Sequence, residues 1–260
     1  MEQITSRANP LCVHFRKLAS SRAYREEAGE FLCDSPKLLE EAVRWGADIR
    51  AVLCTRDTAL PPLASGVRAI QVPESVMESV SPMETPQGVV FSCRRADCRP
   101  PEALEPGHYL VLDGVQDPGN VGTILRTADA FACAGVFLLP GCADVYSPKT
   151  LRAGMGVHFR RSMLRCTLEE LTALLQGAGL PLYAAALGEG AADLRQLDLS
   201  RCAVAVGSEG RGVSPALLAR SQGRLRIPMS PRCESLNAAA AAAVILWEMA
   251  RTDGGTWSEE

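Results

Sequence analysis

Short apolar runs alternate with helical patterns over the second half of the chain, and this alternation most limits the fold. The predicted strands are YLVLDGV, GVFLLP, LYAAAL, CAVAVG and RLRIPM, at residues 109–115, 135–140, 182–187, 202–207 and 224–229. The predicted helices are VGTILRTADAFAC, SPKTLRAGMG, LEELTALLQGAG, SPALLAR and SLNAAAAAAVILWEMAR. Alternation of this kind predicts an α/β fold with a mainly parallel sheet, whose ligands bind at the carboxyl ends of the strands.

The first part of the chain also combines helical and strand patterns. SPKLLEEAVRWG begins with Ser-Pro and ends with glycine, which predicts a helix at residues 35–46. IRAVLCT and GVVFSC predict short buried strands at residues 49–55 and 88–93. The segment 94–109 has three prolines and no apolar periodicity, as expected of a linker. The domain limits that follow are 1–96, a linker at 97–106, 107–252, and a flexible tail at 253–260.

Charge is distributed unevenly along a chain whose net charge is only −3. Three stretches are rich in arginine and lysine, at residues 1–25, 146–168 and 195–232. Basic patches on a mildly acidic protein are compatible with a polyanionic partner, although solvated helix faces and loops would give the same pattern.

The ten cysteines are scattered singly, with no C-x-x-C pair and only three histidines, so no metal site is expected. No signal peptide is expected from the sequence, and no apolar run approaches the length of a membrane span. Reduced cysteines within apolar runs indicate a cytoplasmic protein.

The loop after the first strand of the second half reads QDPGNVGTILR, at residues 116–126. Gly119 and Gly122 allow a tight turn that brings backbone amides near a ligand. Asn120 could cap the following helix, and Arg126 could pair with Asp129 three residues later. A dinucleotide-binding loop would need a third glycine and a ribose-binding acid, and both are missing.

Two later loops carry similar features. GSEGRGVSP, at residues 207–215, has three glycines in six residues, which indicates that something approaches the backbone closely. Glu209 has no packing role in that loop and could be a solvated acid, while Ser214 and Pro215 form an ordinary helix start. In IPMSPRCESLNAAAAAAV, at residues 227–244, Ser235 could cap the alanine-rich helix.

Taken together, NxGxxxR, GSEGRG and IPM…ESLN occur in an order and at spacings that resemble the three motifs of the SpoU (TrmH-type) RNA ribose methyltransferases, within the SPOUT class. The resemblance spans residues 107–250. Upstream, ITSRANPLCVHFRKL and GEFLCDSPKLLEEAVRWG look like the N-terminal substrate-binding domain of the family. The chain departs from the family pattern at Pro231 and at Asp34-Ser35, where relatives commonly have glycine and Glu-Gly.

The resemblance implies an S-adenosylmethionine-dependent transferase that methylates a ribose 2′-hydroxyl of structured RNA, ribosomal rather than transfer RNA. It implies a SPOUT domain with a deep trefoil knot that forms a homodimer. It also implies a small N-terminal α/β domain with a ribosomal-protein-like RNA-binding fold. The two rival functions are a non-catalytic RNA-binding or ribosome assembly factor on the same fold and a nucleotide-dependent oxidoreductase.

The resemblance also assigns site residues by position. The implied catalytic residues are Asn120, Arg126, Glu209, Ser235 and Asn237. The implied cofactor-binding residues are Leu187, Gly188, Gly207, Ile227, Met229 and Leu236. The expected RNA-binding residues are Arg7, Arg16, Lys17, Arg22, Lys149 and Arg152.

Arg126 matches the arginine proposed in the family to activate the hydroxyl. Because a guanidinium resists deprotonation, its expected role is to hold a phosphate and stabilise the developing alkoxide, while a phosphate oxygen or water takes the proton. Asn120 and Glu209 would orient Arg126 and the ribose. Ser235 and Asn237 would position the hydroxyl and the methionine tail of the cofactor.

Overall fold

The computed structural model describes residues 2–253, which form two compact units. The first unit contains the described residues up to Ala96 together with Asp144–Arg160. The second contains Asp97–Ala143 and the described residues from Arg161 onward. The linker-based limits place 144–160 with the C-terminal domain, and those limits stay a prediction. Of the expected tail, residues 254–260 lie outside the described residues.

The first unit is built from helices and strands in the order β1 (Glu2–Gln3), α1 (Pro10–Ser20), α2 (Arg22–Ala28), β2 (Glu30–Asp34), α3 (Pro36–Arg44), β3 (Ile49–Cys54), β4 (Arg68–Gln71), α4 (Glu74–Val80) and β5 (Val89–Arg94). Its described strands form one sheet in the order β1-β4-β3-β5-β2. Strand β5 runs antiparallel to β2 and β3, whereas β1, β4 and β3 are mutually parallel. Phe15 and Leu18 of α1 pack against Leu53 and Ile70, and burial of these side chains stabilises one face of the sheet.

The second unit begins with β6 (Tyr109–Asp113), α5 (Pro118–Ala130) and β7 (Gly135–Leu138). The chain then forms α6 (Pro148–Gly154) and a 3₁₀ turn (Val157–Phe159), both within the first unit. The remaining elements of the second unit are β8 (Met163–Arg165), α7 (Leu168–Gly177), β9 (Leu182–Ala185), β10 (Ala192–Asp193), a 3₁₀ turn (Leu194–Gln196), β11 (Ala203–Gly207), α8 (Pro215–Leu218), β12 (Gly223–Arg226) and α9 (Ala238–Thr252).

The second unit has a parallel sheet, as the alternation predicts. Its described strands lie in the order β10-β12-β9-β11-β6-β7-β8, and each neighbouring pair is parallel. The central strands are buried, with Val111, Phe137 and Ala205 in one core cluster. Helix α9 packs against α5 and β11, and its buried residues include the alanines at 238, 239 and 242. The α/β fold is therefore confirmed, and the trefoil knot stays a prediction.

Three ion pairs hold the segment 144–160 against other parts of the first unit. Arg25 reaches Asp144 at 2.7 Å, with both side chains less than a tenth exposed. Arg152 lies 3.1 Å from the buried carboxylate of Asp34, and Arg160 lies 3.1 Å from Glu41. The buried pair would be costly to break from one side, because the remaining charge would have no partner. In the part of the chain that the structure describes, no helix has the length and apolarity needed to cross a lipid bilayer.

Candidate active site

The three motif loops meet at the carboxyl edge of the second sheet. Strands β6 and β11 are neighbours in register, so Asp113 and Gly207 lie side by side where the two strands end. The Asp113 carboxylate accepts a hydrogen bond from the amide of Ser214 at 2.7 Å, which ties the end of the second loop to β6. Strand β12 ends near the same edge and leads into the third loop and α9.

A chain of hydrogen bonds joins one polar side chain from each loop. The Asn237 amide nitrogen donates to Asn120 Oδ1 at 3.1 Å. The Asn120 amide nitrogen donates in turn to Glu209 Oε1 at 2.8 Å. Both ends of the Asn120 amide are thereby used, which fixes its orientation. Residues that are 117 and 89 positions apart in sequence form one polar cluster.

The N-caps of α5 and α9 are not the residues that the sequence suggested, Asn120 and Ser235. Asp117 is the N-cap of α5, and its side chain accepts a hydrogen bond from the backbone N–H of Asn120 at 2.9 Å. Asn120 therefore lies inside the first turn and is not the cap. Asn237, rather than Ser235, caps α9, where its Oδ1 accepts from the amides of Ala239 and Ala240. Ser235 is left exposed at the rim of the site.

Glu209 is a charged carboxylate in this cluster. Burial acts to raise its pKa, but hydrogen bonds from the Asn120 side chain and from nearby backbone amides outweigh burial and place the pKa below its ordinary value. One of these amides, that of Gln116, lies 3.4 Å from Glu209 Oε2. Glu209 is exposed in its loop, and its carboxylate also accepts a hydrogen bond from the Asn120 side chain.

Arg126 is exposed on α5 and makes no hydrogen bond or ion pair within residues 2–253. The alternative that it pairs with Asp129 is wrong, because Asp129 lies 2.7 Å from the guanidinium of Arg161. The exposed guanidinium of Arg126, which lies on the same helix as Asn120 and six residues further along, has its five N–H donors available to a ligand.

A cavity of about 460 Å³ lies beside the polar cluster. Its wall contains five of the six predicted cofactor-binding residues, namely Leu187, Gly207, Ile227, Met229 and Leu236. The sixth, Gly188, follows Leu187 and has a φ of 132°, which favours glycine. Leu187 and Leu236 are 60% and 39% exposed, so two large apolar side chains stand open at this site.

The cavity also has polar lining that the sequence analysis missed. Arg211, Arg226 and Glu234 line it and were not predicted, whereas Glu209 and Ser235, which also line it, were. Arg226 occupies an outward position on β12, next to the buried Leu225, and this alternation was the available signal. A mainly apolar wall with a few charged groups suits a ligand that has both an aromatic and a zwitterionic part.

Gly207 is needed because the chain approaches itself. A Cβ built on Gly207 would lie 1.9 Å from the carbonyl carbon of Gly212 and 2.1 Å from the nitrogen of Val213. The loop 208–212 is closed by two backbone hydrogen bonds between Ser208 and Gly212, at 3.0 and 2.9 Å. The close approach inferred from the glycine count is therefore at least partly that of the loop's own backbone.

The six predicted RNA-binding side chains all lie in the first unit. Arg7 and Arg16 donate to the backbone carbonyls of Ser75 and Arg7, each at 2.9 Å. Arg22 pairs with Glu26, the Lys17 ammonium lies 5.1 Å from the Tyr24 ring centroid, and Lys149 is exposed. Arg152 forms an ion pair with Asp34 at 3.1 Å, and Asp34-Ser35 is one of the two places where the chain departs from the family pattern.

Within residues 2–253, no three His, Cys, Asp or Glu side chains are grouped so that they could hold a metal ion.

Comparison with known proteins covers nearly the whole chain. The family model "SpoU rRNA Methylase family" matches residues 107–247, and the "MRM3-like substrate binding domain" matches residues 9–90. The chain is 34% identical over 251 residues to the 23S rRNA (guanosine(2553)-2'-O)-methyltransferase RlmP of Bacillus subtilis (strain 168), covering 96% of this chain and 99% of the relative. It is 30% identical over 264 residues to the 23S rRNA (uridine(2479)-2'-O)-methyltransferase of Streptomyces viridochromogenes, covering 96% and 92%. The crystal structure of an AdoMet-bound rRNA methyltransferase from Sinorhizobium meliloti superposes with a TM-score of 0.85, at 30% identity and with 96% and 97% of the two chains covered.

Proposed function

The chain belongs to the SpoU rRNA methylase family, and we propose on that basis that it transfers a methyl group from S-adenosylmethionine to a ribose 2′-hydroxyl of ribosomal RNA. The family expected from the three motifs is confirmed. The chain is thus an enzyme, an S-adenosylmethionine-dependent RNA (ribose-2′-O)-methyltransferase.

The observation that carries this proposal is the hydrogen-bonded chain Asn237–Asn120–Glu209 beside the cavity. It brings together the polar residues of all three motifs at one edge of the sheet, where α/β proteins bind their ligands. Because Asn120 is oriented at both ends, the neighbouring surface is ordered before any substrate arrives, which reduces the reorganisation that binding requires.

The cavity fits the cofactor. Its volume of about 460 Å³ lies within the range of pockets for ligands of that size, roughly 300–1,000 Å³. Leu187, Ile227 and Leu236 supply apolar walls for an adenine ring, and Arg211 and Glu234 supply charges for a methionine carboxylate and ammonium. When bound there, S-adenosylmethionine supplies an already activated methyl group.

The remaining roles fall to the motif residues. Arg126, whose guanidinium is not engaged within residues 2–253, holds a phosphate next to the target ribose through two parallel hydrogen bonds. The same positive charge stabilises the oxyanion that develops as the 2′-hydroxyl loses its proton. The Asn120–Glu209 pair orients the ribose, and Ser235, exposed at the cavity wall, positions the hydroxyl.

The test is the substitution Arg126→Ala. We expect methylation of a 23S rRNA transcript to be lost by at least about a hundredfold, as for removal of one oxyanion-stabilising donor. Cofactor affinity, measured by calorimetry, should be unchanged. The matched control is Arg201→Ala, since Arg201 is exposed just before β11 and therefore at the opposite, amino edge of the sheet. Wild-type turnover by Arg126→Ala, with Arg201→Ala equally active, would remove Arg126 from the site.

The two relatives are named for different nucleotides, guanosine 2553 and uridine 2479 of 23S rRNA. The nucleotide that this chain modifies is best found by mapping 2′-O-methyl groups in ribosomal and transfer RNA from a strain that lacks its gene. We assign the choice of RNA structure to the domain at 1–96, which has a basic stretch at residues 7–25, because RNA is recognised largely by shape and by unpaired loops. We propose a cytoplasmic location, because both of these relatives are bacterial enzymes named for 23S rRNA.

We also infer that the enzyme is a homodimer through α9. Half of the alanine run, at 238, 239 and 242, is buried within the chain itself. The other face of α9 exposes Val244 and Trp247, which are 40% and 52% accessible, and Trp247 packs edge-on against Phe131 of α5. Apolar side chains exposed along one helix face are typical of an isologous interface. Sedimentation of Trp247→Arg should give a monomer, and an unchanged dimer would exclude this face.

A further inference from the structure

Five large apolar residues are exposed in residues 2–253, and the proposed function accounts for four of them. Leu187 and Leu236 line the cofactor cavity. Val244 and Trp247 lie on the outer face of α9. The fifth is Trp45, which directly follows α3 in the first unit and is 46% exposed. Neither the cavity nor the α9 face explains an open indole there, and large exposed aromatic side chains commonly mark a binding surface.

The Trp45 ring is held in one orientation. Its Nε1 donates a hydrogen bond to Glu41 Oε2 at 3.2 Å. The same carboxylate oxygen accepts from Arg160 at 3.1 Å, and the Arg160 guanidinium carbon lies 5.5 Å from the indole centroid. Gly156 packs so closely on Glu41 that an added Cβ would lie 3.0 Å from the Glu41 Cβ. The segment 156–160 therefore fixes Glu41 and, through it, the ring.

The surroundings of the ring are suited to a nucleotide. The Arg44 guanidinium carbon lies 5.7 Å from the indole centroid, and the Arg44 side chain is 73% exposed. Its only ion pair in residues 2–253 is a long one, 3.9 Å from Glu41. Arg160, by contrast, is only 20% exposed and is anchored by Glu41. One guanidinium thus supports the ring, and the other can turn towards a phosphate.

We propose that Trp45 is a stacking platform for an unpaired base of the substrate RNA, with Arg44 binding the phosphate next to that base. The inference rests on the proposed function, because it takes RNA as the substrate. Every base has an aromatic face, and a base stacked on tryptophan is one of the common contacts between proteins and single-stranded RNA. The platform would hold the RNA in the first unit and would take no part in the chemistry of methyl transfer.

The test compares Trp45→Ala and Trp45→Phe in the full-length enzyme. The probes are a 20-nucleotide single-stranded RNA of mixed sequence and a blunt duplex formed from the same RNA and its complement. We expect Trp45→Ala to weaken binding of the single strand by about tenfold, within the range found when a base–aromatic stack is removed. Trp45→Phe should retain most of the affinity, and duplex affinity should be the same in all three proteins.

Steady-state kinetics on a 23S rRNA transcript provides the second readout. Trp45→Ala should raise the KM for RNA and leave kcat and cofactor affinity unchanged. Equal binding of the single strand by Trp45→Ala and the wild type would overturn the platform and would point to a protein partner for the indole. An equal loss on single strand and duplex would also overturn it, because the effect would then be one of general structure or charge. Failure of the wild type to methylate any RNA would instead refute the proposed function, so the two failures are distinguishable.

Discussion

Substituting Gly207 by alanine tests the tightest approach in the second unit. The added methyl group would lie 1.9 Å from the carbonyl carbon of Gly212 and 2.1 Å from the Gly212 oxygen and the Val213 nitrogen. These are backbone atoms, and real Cβ atoms essentially never come within 3.0 Å of such neighbours. The loop 208–212 must therefore move away from the end of β11 by more than about 1 Å, which is a large displacement in a close-packed region.

The size of the effect follows from what that movement breaks. The loop is closed by two Ser208–Gly212 backbone hydrogen bonds, at 3.0 and 2.9 Å, each worth about 0.5–1.5 kcal/mol. The strain of overpacking adds typically 1–3 kcal/mol. We expect Gly207→Ala to lower the free energy of unfolding by about 3–5 kcal/mol. Because Gly207, Gly212 and Val213 all line the cavity, cofactor binding should fall with it.

The measurements are urea denaturation and calorimetry with S-adenosylmethionine. Gly210→Ala is the matched control, because Gly210 lies in the same loop, has no atom within 4 Å of an added Cβ and has no positive φ. That variant should unfold with a free energy within about 1 kcal/mol of the wild type. If Gly207→Ala matched Gly210→Ala in both stability and cofactor affinity, the account of Gly207 as a steric requirement would be refuted.

Three further outcomes are expected. Ser35 has a φ of 95° and a ψ of 142°, a conformation that costs a non-glycine residue about 1–3 kcal/mol. Ser35→Gly should therefore stabilise the protein by about 1 kcal/mol in urea denaturation, although it removes the hydrogen bond that caps the Leu38 N–H. Ser35→Ala loses the same cap and keeps the strain, so it should destabilise the protein. Asn120→Asp replaces the hydrogen-bond donor to Glu209 with a second carboxylate. The rate of methylation should fall more than tenfold, while cofactor affinity measured by calorimetry should be nearly unchanged. Full activity of the variant would exclude a role for this hydrogen bond. Burial lowers the pKa of His158 to about 4, below the value of about 6.5 expected in the unfolded chain. The free energy of unfolding should therefore be highest above pH 6.5 and should fall by up to about 3 kcal/mol as the pH is lowered towards 4. His158→Leu should remove this pH dependence, and an unchanged pH profile in the variant would contradict the account.

The elements of the second unit could be predicted from sequence because their signals are local. Strands β6, β7, β9 and β11 each coincide with an apolar run bounded by glycine or proline, and α5 and α9 have clear periodicity. Strand β12 forms at Gly223–Arg226, earlier than the predicted 224–229, and has a single buried apolar side chain, Leu225. The two-residue strand β10 and the three-residue strand β8 of this unit were not predicted. Their pairing depends on backbone contacts with distant strands, and so short a run has no periodicity of its own.

The location of α6 shows a second limit of the same kind. The sequence predicted a helix at 147–156, and that helix forms at Pro148–Gly154. Its assignment to the first unit depends on partners far away in the chain, because Arg25 and Asp144 are 119 residues apart and Arg152 and Asp34 are 118 apart. Local sequence propensity predicts that a helix forms, but it does not predict which part of the protein that helix packs against. A charged residue in sequence likewise does not reveal whether its partner is another side chain or a phosphate, as Arg152 demonstrates.

The polar cluster illustrates why the motif residues were recognisable as a set but ambiguous singly. Asn120 and Asn237 are both found in the first turn or at the cap of a helix, where asparagine is common for structural reasons alone. The structure adds their hydrogen bonds: Asn237 uses its oxygen to cap α9 and its nitrogen to bind Asn120, which in turn donates to Glu209. The same side chain thus caps α9 and makes the hydrogen bond to Asn120. Asn237→Asp should therefore preserve the cap of α9 and remove only the hydrogen bond to Asn120, whereas Asn237→Ala should remove both. Comparing the two variants separates the effect of the cap from the effect of the hydrogen bond to Asn120, which a single substitution cannot do.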